Sequence, residues 1–167
     1  MPGGEEVRRV NPFDWAREFS EVMTAGGFDA VIGNPPYVRP HRIEPWEKDY
    51  FWQHYSTFVK KSDLYCCLIE RAISILKLSG MFGYIVSNGW LRLDSFENLR
   101  MFLLDRTSIH TLIDFSGNVF DRATVKTAIL ILSKEETQGR SFRVATTEVT
   151  GDLDNLEFRE LEQDSFK

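Results

Sequence analysis

Asn34-Pro35-Pro36-Tyr37 joins a hydrogen-bonding amide, two ring-locked backbones and an aromatic plate in four consecutive residues. The prolines fix φ and lack N–H groups, so they stiffen the turn and leave its carbonyls free to accept. The Asn34 amide is both acceptor and donor. Tyr37 supplies a flat face for stacking. Such a corner suits an exocyclic amine on a planar ring: two acceptors take its two hydrogens and leave the nitrogen lone pair pointing outward. No neighbouring side chain is needed to deprotonate the amine. The alternative is a turn that ends a strand, with a buried tyrosine. Other reactive groups are sparse. His41, His54 and His110 are scattered and Cys66 and Cys67 are adjacent, so neither a zinc signature nor a disulfide framework is expected, and no metal.

The elements that must hold this corner follow from periodicity. Asn11–Ala25 carries Phe13, Ala16, Phe19, Val22 and Met23 at helical spacing, with Asn11 or Asp14 as cap, and Gly26-Gly27 ends it. Phe28–Ile32 is a short apolar run that reads as a buried strand. The two prolines force the chain off the sheet after Gly33. Val38–Ser62 is expected to be a long loop with one or two helical turns. Asp63–Leu78 predicts an amphipathic helix capped by Ser62 or Asp63 and stopped at Gly80. Met81–Ser87 predicts a strand, Ser95–Asp105 a helix capped by Ser95, and Ile109–Phe115 a strand. Thr127–Leu132 is apolar on both faces and is expected to be central. Phe142–Val149 is a more exposed strand. The alternation implies an α/β fold with a parallel sheet covered on both faces and an antiparallel hairpin at its edge. Open sheets of this kind bind ligands at the carboxyl ends of their strands, where the corner lies.

Composition sets the bounds. The 167 residues suffice for one domain with its own core. No apolar run approaches the roughly 18 residues that span a bilayer. The acidic start is unlike a signal peptide, so a soluble protein of the reducing cytoplasm is expected, with no membrane partner. The formal charge is −5, and residues 148–167, with seven acids and two bases, carry all of it. Met1–Thr147 is therefore neutral. Arg39, His41 and Arg42 form one small basic cluster, Lys60 and Lys61 another; each is also compatible with a solvated loop. A chain that gripped a duplex unaided would be more basic.

Phe28-Asp29-Ala30-Val31-Ile32-Gly33-Asn34-Pro35-Pro36-Tyr37-Val38-Arg39 closely resembles the catalytic motif of N6-adenine DNA methyltransferases that use S-adenosylmethionine. Asn11-Pro12-Phe13-Asp14-Trp15 is similar to the large type IIG restriction–modification polypeptides that fuse methylase and nuclease functions. Asp63-Leu64-Tyr65, Gly80 and Asn88-Gly89-Trp90-Leu91 resemble the family's middle motifs, and Gly117-Asn118-Val119-Phe120 its late aromatic motif. The resemblance covers about residues 11–150. It implies a Rossmann-like methyltransferase fold acting on an adenine flipped out of double-stranded DNA. Asn34 and the Pro35 carbonyl would accept from the N6 amine within the Asn34–Pro35–Pro36–Tyr37 corner. Tyr37 would stack on the ring, and Phe120 would cover its edge or other face. Arg39 belongs to the substrate side. Leu64 and Leu68 would pack near the cofactor's adenine, although each also fits a helix core. Asp29 is read as structural.

One part of the family pattern is absent. The glycine-rich turn that holds the cofactor's methionine end precedes the catalytic motif in this family, and the 33 residues before Asn34 contain none. The expected organisation is a partial catalytic domain over 1–150, the second half of the sheet, followed by an acidic tail or linker over 151–167. The cofactor-binding half and a recognition domain would belong to the intact parent protein, through which DNA is bound. The isolated chain is expected to be inactive and to expose an unpaired strand edge prone to self-association. Competing readings keep the chemistry but change the substrate to a protein glutamine or an RNA base, or make the chain a non-catalytic scaffold.

Overall fold

The computed structural model describes residues 13–119, 125–135, 141–148 and 153–163. In chain order the elements are α1 (Trp15–Glu18), α2 (Ser20–Thr24), β1 (Phe28–Gly33), α3 (Pro45–His54), α4 (Tyr65–Ser74), β2 (Leu76–Ser87), α5 (Glu97–Arg106), β3 (Ser108–Phe115), β4 (Thr127–Ser133), β5 (Ser141–Thr147) and β6 (Arg159–Glu162). The strands form one mixed sheet in the order β1-β2-β4-β3-β5-β6. The β1/β2 and β3/β5 pairs are parallel and the other three antiparallel. The expected hairpin of β3 and β4 is present, but in the middle of the sheet. Strand β4 inserts between β2 and β3, the central place that its two apolar faces require.

Helices α4 and α5 cover one face only. Tyr65, Ile69 and Ile73 of α4 and Leu99 and Leu103 of α5 join Phe82, Val86, Leu130 and Leu132 of the sheet in the main core. The intervening strand positions point the other way. There Ile32 is 89% exposed and Met81 41%, while Ile85 faces Ile129 across the ladder and both are only half-buried. Among the described residues that second face is therefore open at β1 and β2, whereas Ile113 and Phe115 of β3 and Ala145 of β5, on the same face, are buried. Strand β1 is an edge, not the buried strand its composition suggests, and its exposed Asp29 pairs with Lys77.

Tertiary pairing moves several boundaries. The expected first helix is two short ones, broken at Phe19, with Asp14 accepting from the Arg17 amide at 3.1 Å as a cap. Asn11 lies outside the described residues. Helix α4 stops at Ser74 because the chain turns at once into β2: the Phe28 amide bonds the Ile75 carbonyl at 2.9 Å, and Leu76 pairs with Phe28. Gly80, expected as a helix stop, lies inside β2, where a Cβ would sit 2.9 Å from the Lys77 carbonyl oxygen. Neither Ser62 nor Asp63 caps α4; the Ser62 hydroxyl instead donates to the Val59 carbonyl at 2.7 Å. Ser95 falls within a 3-10 turn, Asp94–Phe96, ahead of α5. The expected loop over 38–62 contains the three-turn helix α3, started by a capping box between Glu44 and Glu47 with Pro45 in the first turn.

The acidic stretch expected as a tail contributes β6, paired antiparallel to β5. Next to it, buried Gln163 accepts from the Ile109 amide at 3.0 Å and donates to the Leu104 and Thr107 carbonyls at 3.1 and 2.7 Å. One side chain thereby satisfies three main-chain groups in the α5–β3 turn, groups that would otherwise be buried without partners.

Candidate active site

The corner emerges at the end of β1, beside the last residues of β2. Gly33 pairs with Tyr84, and the Tyr84 ring lies across it so closely that a Cβ there would meet the ring at 3.2 Å. Beyond this point the prolines carry the chain off the sheet. Asn34 and Pro36 are exposed; Pro35 and Tyr37 are half-buried. Asn34 therefore offers its amide to solvent rather than to the core. Tyr37 is held from below: its hydroxyl donates to the Ile85 carbonyl at 3.1 Å. Its ring meets Tyr65 edge-on, centroids 6.3 Å apart, and Tyr65 stacks on Phe96 at 5.4 Å. Tyr65 in turn donates to the Ser87 carbonyl at 3.4 Å. Burial raises the pKa of Tyr37, which keeps the phenol protonated and able to donate. The result is an aromatic plate fixed in angle beside a free amide.

Helix α4 is brought against the corner by the Leu64 amide, which bonds the Val38 carbonyl at 3.0 Å. Leu64 itself packs into a second small core of Ile43, Phe58 and Cys67, while Leu68 is half-buried. Arg39 is exposed just past the corner. Phe120 lies outside the described residues. Burial pushes the Cys66 thiol up to about 12, so it is not a nucleophile at neutral pH. Among the described residues no group of three or more His, Cys, Asp or Glu could hold a metal ion. No described helix is long and apolar enough to cross a membrane.

Asp63, just before α4, is half-buried. Desolvation raises its pKa, against the opposing charges of Arg39 and His41. A folded-state pKa above the unfolded value of about 3.9 means that folding penalises the charged form. That penalty is complete at neutral pH and disappears as the pH falls through the folded value towards the unfolded one. Asp63→Asn is therefore expected to raise the melting temperature near neutral pH, with the gain shrinking towards about pH 4. Scanning calorimetry across that range checks it; a gain that grows on acidification contradicts the assignment.

Sequence reasoning missed a second polar cluster at the same end of the sheet. Asp114 of β3 is buried, its side chain 9% exposed. Its Oδ1 accepts from Asn88 Nδ2 at 2.7 Å and its Oδ2 from Arg92 Nη2 at 2.6 Å. The available signal was a single acid inside the apolar run Leu112-Ile113-Asp114-Phe115, because a buried carboxylate must find donors.

The corner thus places an exposed amide beside an anchored ring. Among the described residues no strand precedes β1, and the Gly26-Gly27 turn before it follows a helix, not a strand. No step through the cofactor is assigned to this chain.

Comparison with known proteins gives a consistent answer. Residues 4–120 match the Eco57I restriction-modification methylase family. The chain is 35% identical over 142 residues to the type II restriction enzyme and methyltransferase RM.Eco57I of Escherichia coli, covering 83% of this chain and 13% of that protein. It is 30% identical over 98 residues to the adenine-specific methyltransferase BrxX of E. coli O9:H4, covering 59% of this chain and 8% of that one. It thus spans a small part of the curated relatives it matches. Among solved structures, the type I restriction-modification methyltransferase subunit from Streptococcus thermophilus superposes with a TM-score of 0.57 at 25% identity, over 72% of this chain and 26% of that one. The mixed sheet is thereby that of a methyltransferase fold. With its exposed amide, tethered aromatic plate and matching family model, this chain belongs to the Eco57I restriction-modification methylase family.

Proposed function

We propose that the chain forms the amine-holding part of a DNA methyltransferase that modifies the N6 position of a flipped-out adenine within a restriction–modification system. The observation that carries this reading is the solvent-facing Asn34 beside a Tyr37 ring whose hydroxyl is anchored 3.1 Å from the Ile85 carbonyl. The Asn34 side-chain oxygen and the Pro35 carbonyl accept the two N6 hydrogens. Tyr37 stacks on the base and fixes its plane. Held this way, the nitrogen lone pair is directed off the ring, and alignment rather than proton removal is the main catalytic device. S-adenosylmethionine supplies the activated methyl group when bound. The matched family and the adenine-specific relative favour this substrate over a glutamine side chain or an RNA base.

The β1 edge and the uncovered face carrying Ile32 and Met81 support a complementary half with the cofactor seat at that side. By itself the chain is then inactive. The test is product identity. The native-length protein is incubated with labelled S-adenosylmethionine and, separately, duplex DNA, RNA and protein. N6-methyladenine in digested DNA is the expected product. Label appearing only in protein or RNA overturns the proposal.

A further inference from the structure

We propose that Arg92, held by buried Asp114, is a positioning residue that grips a DNA phosphate beside the flipped nucleotide; this rests on the adenine-methyltransferase reading above. The loop bearing Arg92 is fastened from two sides. Arg100 of α5 donates through Nη1 to the Trp90 and Leu93 carbonyls at 2.7 and 2.9 Å. Asp114 takes one hydrogen bond from Asn88 and one from Arg92. The loop closes on itself through the Arg92 and Leu93 amides, both on the Gly89 carbonyl. Among the described residues Asp114 is the only hydrogen-bond partner of the Arg92 side chain, through Nη2. That side chain is still 65% exposed, so the rest of the guanidinium fork faces outward.

This arrangement is costly for stability alone. An exposed guanidinium gains little from a partner, and a carboxylate loses hydration when it is buried at a strand end. It does, however, preorganise a planar fork. The negative end of the pair is buried and the positive end points to solvent, the geometry suited to a phosphate.

Placement agrees. Asp114 lies next to the end of β3, at the same side of the sheet as Asn34, and three strand spacings of about 4.8 Å separate β1 from β3, ~14 Å. That is about four base steps of duplex, so phosphates flanking the flipped nucleotide lie within reach. Between them, exposed Lys126 leads into β4, and its carbonyl accepts from the Asn88 amide at 2.9 Å. Arg39, Lys126 and Arg92 thus line one rim of a chain whose formal charge is −5. Local cation placement, not net charge, would supply the grip.

The experiment measures duplex affinity of the native-length protein by fluorescence anisotropy across a salt series. Arg92→Ala is expected to flatten the slope of log affinity against log salt by about 0.9, one phosphate contact. Affinity should fall by the same factor on matched and unmatched duplexes, with the KM for S-adenosylmethionine unchanged. Arg92→Lys keeps the charge and should retain most of the slope. Because Arg92→Ala strands a buried carboxylate, Arg92→Ala with Asp114→Asn is measured beside it and should show the same flattened slope. A lower melting temperature with an unaltered salt slope in both alanine variants makes Arg92 a merely structural group and overturns the proposal. A wild-type protein with no affinity for duplex DNA overturns the adenine reading as well, so the two failures are told apart.

Discussion

Asn34→Ala is expected to slow methyl transfer about a thousandfold in the native-length protein while leaving duplex affinity within about threefold. Asn34 is exposed and, among the described residues, its side chain has no hydrogen bond to the core, so its removal costs the fold little. What is lost is an acceptor aimed at the amine. Without it the nitrogen keeps its lone pair conjugated with the ring, and no other side chain at the corner is placed to compensate. Single-turnover rates measure the loss, with binding read separately by anisotropy. Tyr37 supplies the internal control. Tyr37→Phe removes the 3.1 Å tether to Ile85 but keeps the plate, and it should cost far less than Tyr37→Ala, which removes the stacking surface. An Asn34→Ala protein with a wild-type rate rejects the corner as the amine site.

The chain on its own is expected to bind S-adenosylmethionine more weakly than about 1 mM, roughly 4 kcal/mol of affinity. Two features lead to this. No strand–turn–helix unit with the family's glycine pattern precedes Asn34 in the sequence, and β1 is an edge of the sheet among the described residues, with Ile32 89% exposed. A cofactor held by few contacts cannot offset the loss of its translational freedom. Isothermal titration of the purified 167-residue chain should give no saturable heat. Micromolar affinity would overturn the division of labour proposed here.

The parts of this site that could be read in the sequence are those set by local chemistry. Two prolines and an asparagine dictate a stiff acceptor corner whatever surrounds them. Thr127–Ser133 is central because both its faces are apolar, and it is found between β2 and β3. Readings failed where distant partners decide. Leu76 has the spacing of a helix residue, but pairing with Phe28 draws it into β2. Helix α3 carries little amphipathic pattern, and its clearest signal was the Glu44–Glu47 capping box. Asn88 and Arg92 meet Asp114 across 26 and 22 residues, a distance at which no periodicity in the chain reports a contact.

The placement of helices α4 and α5 on one face of the sheet has a practical consequence. Helices α4 and α5 pack in the main core on the face opposite Ile32 and Met81, so a division ahead of β1 leaves that packing whole and costs the contacts of Trp15 and Phe19 with Phe28. A polypeptide divided there could be reunited by fused dimerising tags, with methylation marks on a plasmid recording when the tags meet.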